Sequence, residues 1–435
     1  MQLIRANIAH FPHATTQFSE DITIIRDGGV VIDEGKIIAV DSFTDVLARY
    51  PKANVIDRQG QWLLPGFIDS HLHYPQTQSI ASYGDQLLSW LENYTFPTEK
   101  QFADEPHAQQ IAQVFLRQLL KNGTTTGFVF CSVHQQSCEA LFSAASELNM
   151  AIVAGKVCMD RNCPQELEDC PTTAQVHSAA LIDKWHNHGR NKYAITPRFA
   201  PTSSEAQLAS LGELASQYPD VFVQTHLSEN LDEIAWVKRL FPTAIGYLDV
   251  YDKYNMVRPR AVFGHGIHLN EDEWQRLHEA GSTIAFCPTS NLFLGSGLFD
   301  IASAKKHDVH VALATDVGAG TSFSMLKTYA DAYKVSQLRH TPISPFEGFY
   351  LMTQGAAVAH QMESDIGNLN PGSSADFVVL DHQFDELTSL RIQPNAEFDD
   401  VFFALSILGD DRAIRETWVN GRRCYEKKES SHAMV

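Results

Sequence analysis

The chain has 435 residues, of which 44% are hydrophobic and 20% are charged, as in ordinary soluble globular proteins. Because single cores usually stop growing at roughly 250 to 300 residues, we expect one large domain with a smaller companion. The formal net charge of -19 would repel phosphate groups and anionic lipids, which argues against nucleic-acid and membrane partners.

The N-terminal segment does not resemble a targeting signal. Residues 1–12 lack a long apolar region and a small-residue cleavage site, and no later run approaches about 18 uninterrupted apolar residues. The seven cysteines are scattered without a C-x-x-C pair, which favours reduced thiols. Cys158, Cys163 and Cys170 form a loose group that we set aside as a metal site. We therefore predict a cytoplasmic protein.

Both ends of the chain are predicted to form short β-strands. The strand-like segments are 21–25, 29–33 and 36–40 near the N-terminus and 375–380 and 415–425 near the C-terminus. Glu34-Gly35 and Asn420-Gly421 are turn signals, and Asn-Gly in particular favours a tight hairpin. Two β-rich ends around a different middle predict one small β-sandwich domain, formed by residues 1–64 and 361–435.

The middle of the chain, residues 65–360, alternates between strand-like and helix-like segments. The strand-like segments are the apolar run from Leu63 to His73, then 123–130, 152–159, 193–199, 221–226, 261–265, 282–287 and 310–316. Segments with helical periodicity lie between them, for example at 105–122, 204–218, 231–241 and 270–280.

Cap residues agree with these helix limits. Ser204 and Asn270 are suitable N-caps, and Gly123 and Gly281 follow predicted helix ends. Eight βα units over roughly 295 residues predict a (β/α)8 barrel, also called a TIM barrel, whose catalytic residues lie at the C-terminal ends of its strands. A doubly wound sheet is the weaker alternative, because no G-x-G-x-x-G motif follows the first strand.

The first barrel strand ends in two histidines, His71 and His73. On a strand, side chains at i and i+2 leave the same face, so both imidazoles would point into one space. Two imidazoles aimed at one point form half of a metal site. A lone H-x-H can also be two ordinary polar residues at a strand end. The residues at the other strand ends therefore determine which interpretation is favoured.

Polar side chains also end the later strands of the predicted barrel. They are Arg198 on strand four, His226 with Glu229 after strand five, His265 on strand six and Asp316 on strand eight. Taken singly, each could be structural, as a satisfied core histidine, a helix cap or a surface cation. Because all of them fall on the rim where a barrel keeps its active site, together they predict a functional site.

Imidazoles and a carboxylate suit Zn²⁺ or Fe²⁺, with a water molecule completing the coordination shell. Such a metal would lower the pKa of the water and prepare it to attack an electrophilic carbon. Asp316 could accept the proton of that water, and Glu229 could protonate the substrate as a general acid. We expect His265 to hydrogen-bond the attacking oxygen or the developing charge rather than to bind the metal.

The ordered set H-x-H, His, His and Asp resembles the amidohydrolase superfamily. Longer motifs are similar to the members that deaminate guanine, and they occur at 65–76, 155–160, 196–199, 225–230, 287–292 and 314–317. The similarity covers nearly the whole chain, both β-rich ends included. It implies a hydrolase that converts guanine to xanthine and ammonia in purine metabolism, with a homodimeric assembly.

The resemblance also implies roles for individual residues. It implies one zinc ion per subunit, held by His71, His73, His226 and Asp316. The residues themselves predict catalytic roles for Glu229, Asp316 and His265, as described above. The resemblance implies substrate contacts from Gln76, Arg198, Phe199 and Glu229. We also expect the metal-site residues His73, His226 and Asp316 to contact the substrate.

One departure within the superfamily bears on the number of metals. Members that cleave cyclic amides with two metals usually carry a carboxylated lysine at the end of strand four, which here lies around Arg198. Lys156 on strand three is the nearest substitute, and we interpret it as structural. A single metal, and hence deamination, is favoured.

Guanine fits the polar residues around the predicted metal. Arg198 can donate to the O6 acceptor of guanine, which adenine lacks, and an unpaired buried guanidinium would be costly. Gln76 can donate and accept along the ring edge, and Phe199 can cover the purine face. The segment 76–100 is interpreted as a loop that could lie over the site as a lid. Its aromatic pair, Trp90 and Tyr94, could equally be simple packing.

Two other functions remain open at this point. Another mononuclear deaminase of the same barrel would act on a pterin, an oxidised guanine, cytosine or an adenosine-like compound. A barrel that binds a purine without turnover would serve as a sensor or scaffold, although the presence of both Glu229 and Asp316 argues against it. Zinc deaminases of the cytidine type are excluded, since no H-x-E with a later P-C-x-x-C occurs.

Overall fold

A computed structural model describes residues 1–84, 86–393 and 395–428. The last residues of the predicted 361–435 segment, 429–435, therefore lie outside the described residues. Two sheets organise the described part of the chain, one from its middle and one from its ends.

In the described part of the chain, eight parallel strands form the barrel in sequence order. They are Phe67–His73, Thr124–Phe130, Ala151–Gly155, Lys192–Pro197, Phe222–Leu227, Ala261–His265, Thr283–Phe286 and His310–Leu313. A short strand, Val157–Cys158, follows the third and pairs with the fourth. The circle closes where the backbone N–H of Asp316 donates to the His71 carbonyl at 2.9 Å. The predicted barrel is confirmed, and the doubly wound alternative is wrong.

Helices surround the barrel. The longer ones are Glu105–Lys121, Gln135–Leu148, Pro171–Trp185, Glu205–Gln217, Leu231–Leu240, Glu271–Ala280 and Met325–Leu338, and shorter ones are Tyr247–Asp252, Pro288–Phe293, Ile301–Lys306, Pro345–Leu351 and Gln354–Ala359. The predicted N-caps are confirmed, because the side chains of Ser204 and Asn270 accept backbone N–H bonds of 3.1 and 3.0 Å. Gly123 and Gly281 have φ values of +82° and +62°, which suit helix C-termini.

Apolar side chains fill the barrel below its polar rim. Each strand contributes one residue to this layer, namely Ile68, Phe128, Val153, Ala194, Phe222, Val262, Ala285 and Ala312. These buried side chains fill the interior, so it is a packed core rather than a pore. They precede the polar strand ends along the strands. The C-terminal mouth is consequently the place where the barrel can hold a ligand.

The second sheet combines both chain ends, as predicted. Its strands are Gln2–His10, Thr23–Asp33, Lys36–Ser42, Asn54–Pro65, Phe377–Leu380, Ile414–Val419 and Arg422–Glu426. Asn54–Pro65 joins the two ends, because it pairs in parallel with Gln2–His10 and antiparallel with Phe377–Leu380. At Glu34-Gly35 and Asn420-Gly421 all four φ values lie between +46° and +81°, as tight hairpin turns require.

The opening apolar run is divided between the two sheets. The end-sheet strand finishes at Pro65 and the barrel strand begins at Phe67, with Gly66 between them. A Cβ atom on Gly66 would lie 2.2 Å from Oγ1 of Thr125, so only glycine fits this junction. The domain limits drawn from the sequence, 1–64, 65–360 and 361–435, stay predictions.

Two segments are more helical than the sequence indicated. The segment 76–100, interpreted as a loop, contains the α-helices Leu87–Trp90 and Phe96–Glu99 with a π-helical turn between them. The C-terminal segment contains helices Glu386–Arg391 and Phe398–Leu408 besides its strands, and two shorter helices near the N-terminus are Phe18–Asp21 and Phe43–Arg49. Across residues 1–84, 86–393 and 395–428, every helix is too short or too polar to cross a lipid bilayer.

Candidate active site

The predicted site residues collect at the C-terminal mouth of the barrel. Those that line a cavity there are His73, Gln76, Arg198, Phe199, His226, Glu229, His265 and Asp316. His71 lies next to this lining, with its Nε2 atom 3.4 Å from the Asp316 carboxylate. All the residues nominated from the sequence are therefore brought together in one place.

Three histidines and one aspartate converge on a single point. Nε2 of His73 lies 3.2 Å from Nε2 of His226, and the Asp316 carboxylate lies 3.4 Å from Nε2 of both His71 and His73. Ligand atoms about 2.0 to 2.1 Å from a tetrahedral metal are about 3.3 Å apart, so these separations match one coordination shell. The four residues form a possible metal-binding cluster.

Hydrogen bonding leaves this cluster open to a cation. Within the described chain, the buried Nε2 atom of His71 makes no hydrogen bond. Nδ1 of His226 lies 2.6 Å from the Arg198 carbonyl oxygen and must donate to it, because a carbonyl oxygen can only accept. The lone pair of the neutral His226 ring is therefore on Nε2. Burial lowers the pKa of His73 to about 3, so its ring is neutral, as a metal ligand must be. The residues present fit a divalent metal.

Neighbouring residues position these ligands. Gly264 on the sixth strand leaves room for His71, since a Cβ atom there would lie 2.9 Å from the His71 ring. Behind Asp316, the buried Asp69 carboxylate accepts hydrogen bonds from the Thr315 hydroxyl and from the Thr315 backbone N–H, the latter at 2.9 Å. Asp316 itself has a φ of +51°, a conformation that non-glycine residues adopt mainly where the surrounding structure enforces it.

Two carboxyl groups of the cavity have opposite pKa shifts. Burial, together with the negative charge of Asp316, raises the pKa of Glu229 to about 8. Burial also opposes ionisation of Asp316, but the adjacent His71 and His73 rings hold the pKa of Asp316 well below its usual value. At neutral pH the cavity therefore contains one protonated and one ionised carboxyl group, which is the pairing that acid–base catalysis uses.

Glu229 and His265 lie close together, and each is held by a neighbouring polar side chain. Nε2 of His265 lies 3.4 Å from the Glu229 carboxylate and 3.8 Å from that of Asp316, while Nδ1 lies 2.8 Å from Oδ1 of Asn291. The Ser296 hydroxyl donates to Oε1 of Glu229 at 3.0 Å. Sequence reasoning missed both supporting residues: Asn291 occurs in a motif quoted for the resemblance, but Ser296 is marked by no motif.

Another wall of the cavity contains Arg198, Gln76 and Phe199, all of them buried. Nη1 of Arg198 donates to both carboxylate oxygens of Glu99 at 2.9 Å, and Nε2 of Gln76 donates to one of them at 3.1 Å. Glu99 was also missed, because it lies in the segment 76–100, which was interpreted as a loop.

The described helical turns of the segment 76–100, residues 87–99, cover the cavity. Leu87, Trp90 and Leu91 from these turns line the cavity with apolar surface. Trp90 is 1% exposed and packs on Tyr94, with ring centroids 5.0 Å apart. An apolar cover of this kind excludes water and strengthens electrostatic interactions beneath it.

Cys287, at the end of the seventh strand, is a metal ligand candidate that the sequence reasoning missed. Its Sγ atom and one ligand atom each of His71, His265 and Asp316 lie within 4.8 Å of one another. Burial raises the pKa of the Cys287 thiol well above its usual value, and the thiol donates to the Ala285 carbonyl at 3.3 Å. A protonated thiol is a poor ligand, so we favour the histidines and Asp316.

Two other candidates lie away from the cavity. Lys156 is buried and pairs with Asp169, in line with its structural interpretation. Cys158 is buried whereas Cys170 is exposed, and the possible metal-binding clusters among the described residues do not include either. Neither candidate adds to the site.

Comparisons with known proteins agree with this geometry. Residues 62–424 match the model of the amidohydrolase family, and residues 28–53 match that of a bacterial imidazolonepropionase-like composite domain. Guanine deaminase of Escherichia coli (strain K12) is 47% identical over 412 residues, which cover 94% of each chain. The solved structure of E. coli guanine deaminase superposes with a TM-score of 0.97 at 45% identity, covering 98% of this chain and 100% of that one. A guanine deaminase from C. acetobutylicum, solved with guanine bound in the active site, gives a TM-score of 0.89 at 30% identity, with coverages of 98% and 100%.

Proposed function

The chain belongs to the amidohydrolase family, and we propose that it catalyses the hydrolytic deamination of guanine to xanthine and ammonia. The observation that carries the proposal is the convergence of His71, His73, His226 and Asp316 beside the buried Glu229. The 47% identical guanine deaminase and the relative with guanine in its active site support guanine as the substrate.

We propose that these three histidines and Asp316 hold one zinc ion per subunit. Fe²⁺ is the alternative, because imidazole and carboxylate ligands suit both ions. When bound, the metal supplies a water molecule of lowered pKa as the nucleophile for C2 of guanine.

The surrounding residues move and hold protons during this reaction. Glu229, whose pKa is raised to about 8, is protonated at neutral pH and can donate its proton to N3 of guanine. Asp316 is ionised, so it can accept the proton of the attacking water and pass it to the C2 amino group. The C2–N bond then breaks and releases ammonia, while the ionised Glu229 takes back a proton from the added hydroxyl as the C2 carbonyl of xanthine forms. Asn291 holds His265 through a contact of 2.8 Å. His265 can therefore hydrogen-bond the attacking oxygen and stabilise the negative charge that develops on it.

The wall of the cavity that contains Arg198, Gln76 and Phe199 can recognise the base. Arg198 can donate to O6 of guanine, Gln76 can pair with the ring edge, and Phe199 can cover the purine face. An adenine in the same position would present an amino group to Arg198. The N–H group of Arg198 that faces the base would then have no acceptor, although Glu99 still accepts from Nη1, and this favours guanine over adenine.

Arg198→Ala should lower kcat/KM for guanine by about 10- to 100-fold, because hydrogen bonds to charged groups contribute about this much. The loss should appear mainly in KM, since the contact to O6 is present in the bound substrate as well as in the transition state. Steady-state assays that follow xanthine formation measure both constants. Arg117→Ala, a change to an exposed arginine on helix Glu105–Lys121, is the control. Unchanged kinetics in Arg198→Ala would remove this residue from the site.

The direct test of the function is to incubate the purified, metal-loaded protein with guanine and to measure ammonia and xanthine. Absence of turnover would end the assignment. A panel of a pterin, oxidised guanine, cytosine and adenosine-like compounds separates guanine deamination from the other mononuclear deaminases. A purine-binding barrel without catalysis would bind guanine tightly and release no ammonia.

Assembly and location complete the proposal. We infer a homodimer from the resemblance, which light scattering coupled to gel filtration tests. We infer a cytoplasmic location from the cysteines, because all seven are free thiols, as a reducing compartment favours. Fractionation of cells that contain the protein would test the location.

A further inference from the structure

Glu99 contacts both of the side chains that are proposed to bind the edge of the base. It is fully buried at the end of helix Phe96–Glu99 in the cover of the cavity. Its carboxylate accepts two hydrogen bonds of 2.9 Å from Arg198 and one of 3.1 Å from Gln76. One carboxylate of the cover therefore connects the fourth barrel strand with the turn after the first.

The chemistry of Glu99 fixes the orientation of the Gln76 amide. Both oxygens of Glu99 accept hydrogen bonds from Arg198, so the oxygen that faces Gln76 is an acceptor and Gln76 must turn its NH₂ group towards it. The carbonyl oxygen of Gln76 then remains for the cavity, which Gln76 lines. The orientation of the Gln76 amide follows from its hydrogen-bond partner, because the nitrogen and oxygen of an amide are nearly identical in shape.

Glu99 constrains Arg198 in a complementary way. It occupies Nη1 of the guanidinium with two hydrogen bonds and balances its charge in a buried environment. The remaining N–H groups of Arg198 can only donate. The wall of the cavity thus presents donors, from Arg198, beside an acceptor, from Gln76.

This order of donor and acceptor matches guanine and opposes adenine. Guanine has an acceptor at O6 next to a donor at N1–H, whereas adenine has an amino donor next to an acceptor at N1. We propose that Glu99 is a positioning residue that determines base specificity by fixing the polarity of Gln76 and Arg198. The inference rests on the proposed function, because it assumes that this wall binds the substrate base.

Glu99→Gln tests the inference, because an amide can donate as well as accept and no longer dictates the orientation of Gln76. Two ligands are compared: guanine, through its KM, and 2-aminopurine, through its inhibition constant against guanine. 2-Aminopurine has the same C2 amino group but lacks O6 and the N1–H donor. We expect the KM of guanine to rise about tenfold, whereas the inhibition constant of 2-aminopurine changes less than twofold or falls.

A merely structural role of Glu99 would give a different result. Both constants would then rise by the same factor or stay unchanged, and either outcome would overturn the inference. Neither constant depends on the fraction of folded enzyme, so partial misfolding does not imitate the expected result. Glu92→Gln, which changes an exposed carboxylate of the same cover, is the control.

A second variant and the wild type keep the outcomes distinct. If Glu99→Gln does not fold, Glu99→Asp keeps the charge for Arg198 but shortens the reach to Gln76, and a smaller loss of discrimination between the two ligands is expected. No loss of discrimination in this variant would overturn the inference.

If the wild-type protein releases no ammonia from guanine, it is the proposed function that fails. If the wild type is active and the discrimination of the variants is unchanged, only the role of Glu99 fails.

Discussion

Glu229→Gln is expected to lower kcat for guanine by about 10²- to 10⁴-fold, the usual contribution of a general acid. The side chain keeps its size, but an amide cannot deliver a proton to N3 of the substrate. The hydrogen bond from Ser296 and the contact with His265 can both be kept, so the cavity should retain its shape. Steady-state assays of xanthine formation measure the decrease in kcat.

Metal content separates this effect from damage to the metal cluster. Glu229 is not among the four residues proposed as ligands, so the metal bound per chain should equal that of the wild type by elemental analysis. Glu213→Gln, which alters an exposed carboxylate on helix Glu205–Gln217, should leave kcat unchanged. A Glu229→Gln protein with kcat within threefold of the wild type would rule out Glu229 as the proton donor.

The placement of Glu229 and of the proposed ligands could be predicted because a simple rule links sequence to location. Polar residues that follow apolar strand segments all lie at one mouth of a parallel barrel, whatever their separation along the chain. His71 and His73 also share a face through the two-residue period of a strand. The same rule gave Arg198, His265 and Asp316 without any knowledge of their contacts.

Residues outside this rule escaped prediction. Glu99 and Ser296 lie in irregular or short helical segments, where neither strand nor helix periodicity marks the buried side chains. Their partners are distant in sequence, since Arg198 lies 99 residues from Glu99 and Glu229 lies 67 residues from Ser296. Contacts of that kind depend on how loops pack over the rim, which local propensity does not determine.

The C-terminal helix Phe398–Leu408 was missed by the sequence-based prediction for a second reason. The sequence predicted β-rich structure at this end of the chain, from the strand-like segments on either side. Phe398 and Phe402 instead pack on Phe349 of a barrel helix, with ring centroids 5.4 and 5.2 Å apart. Tertiary packing of an apolar helical face outweighed the character of the neighbouring strands.

Removal of the metal is expected to have the largest effect on activity. A protein stripped with a chelator should keep less than about 1% of its kcat, because the attacking water would then keep a pKa far above neutral pH. One equivalent of zinc per chain should restore the activity. If Fe²⁺ and not zinc restored the activity, the metal would be assigned as iron and the four proposed ligands would stay the same.

His73→Ala should reproduce this loss by removing a ligand. His73 lies 3.2 Å from His226 and 3.4 Å from Asp316, so its removal opens the cluster on one side. We expect the metal content to fall well below one per chain and kcat to fall by at least about 10³-fold, because three protein ligands hold the ion less tightly than four. His188→Ala, a change to an exposed histidine, is the control for both measurements. If chelated protein without detectable metal still turned guanine over at the wild-type rate, His71, His73, His226 and Asp316 would have to be reinterpreted as a hydrogen-bonded cluster.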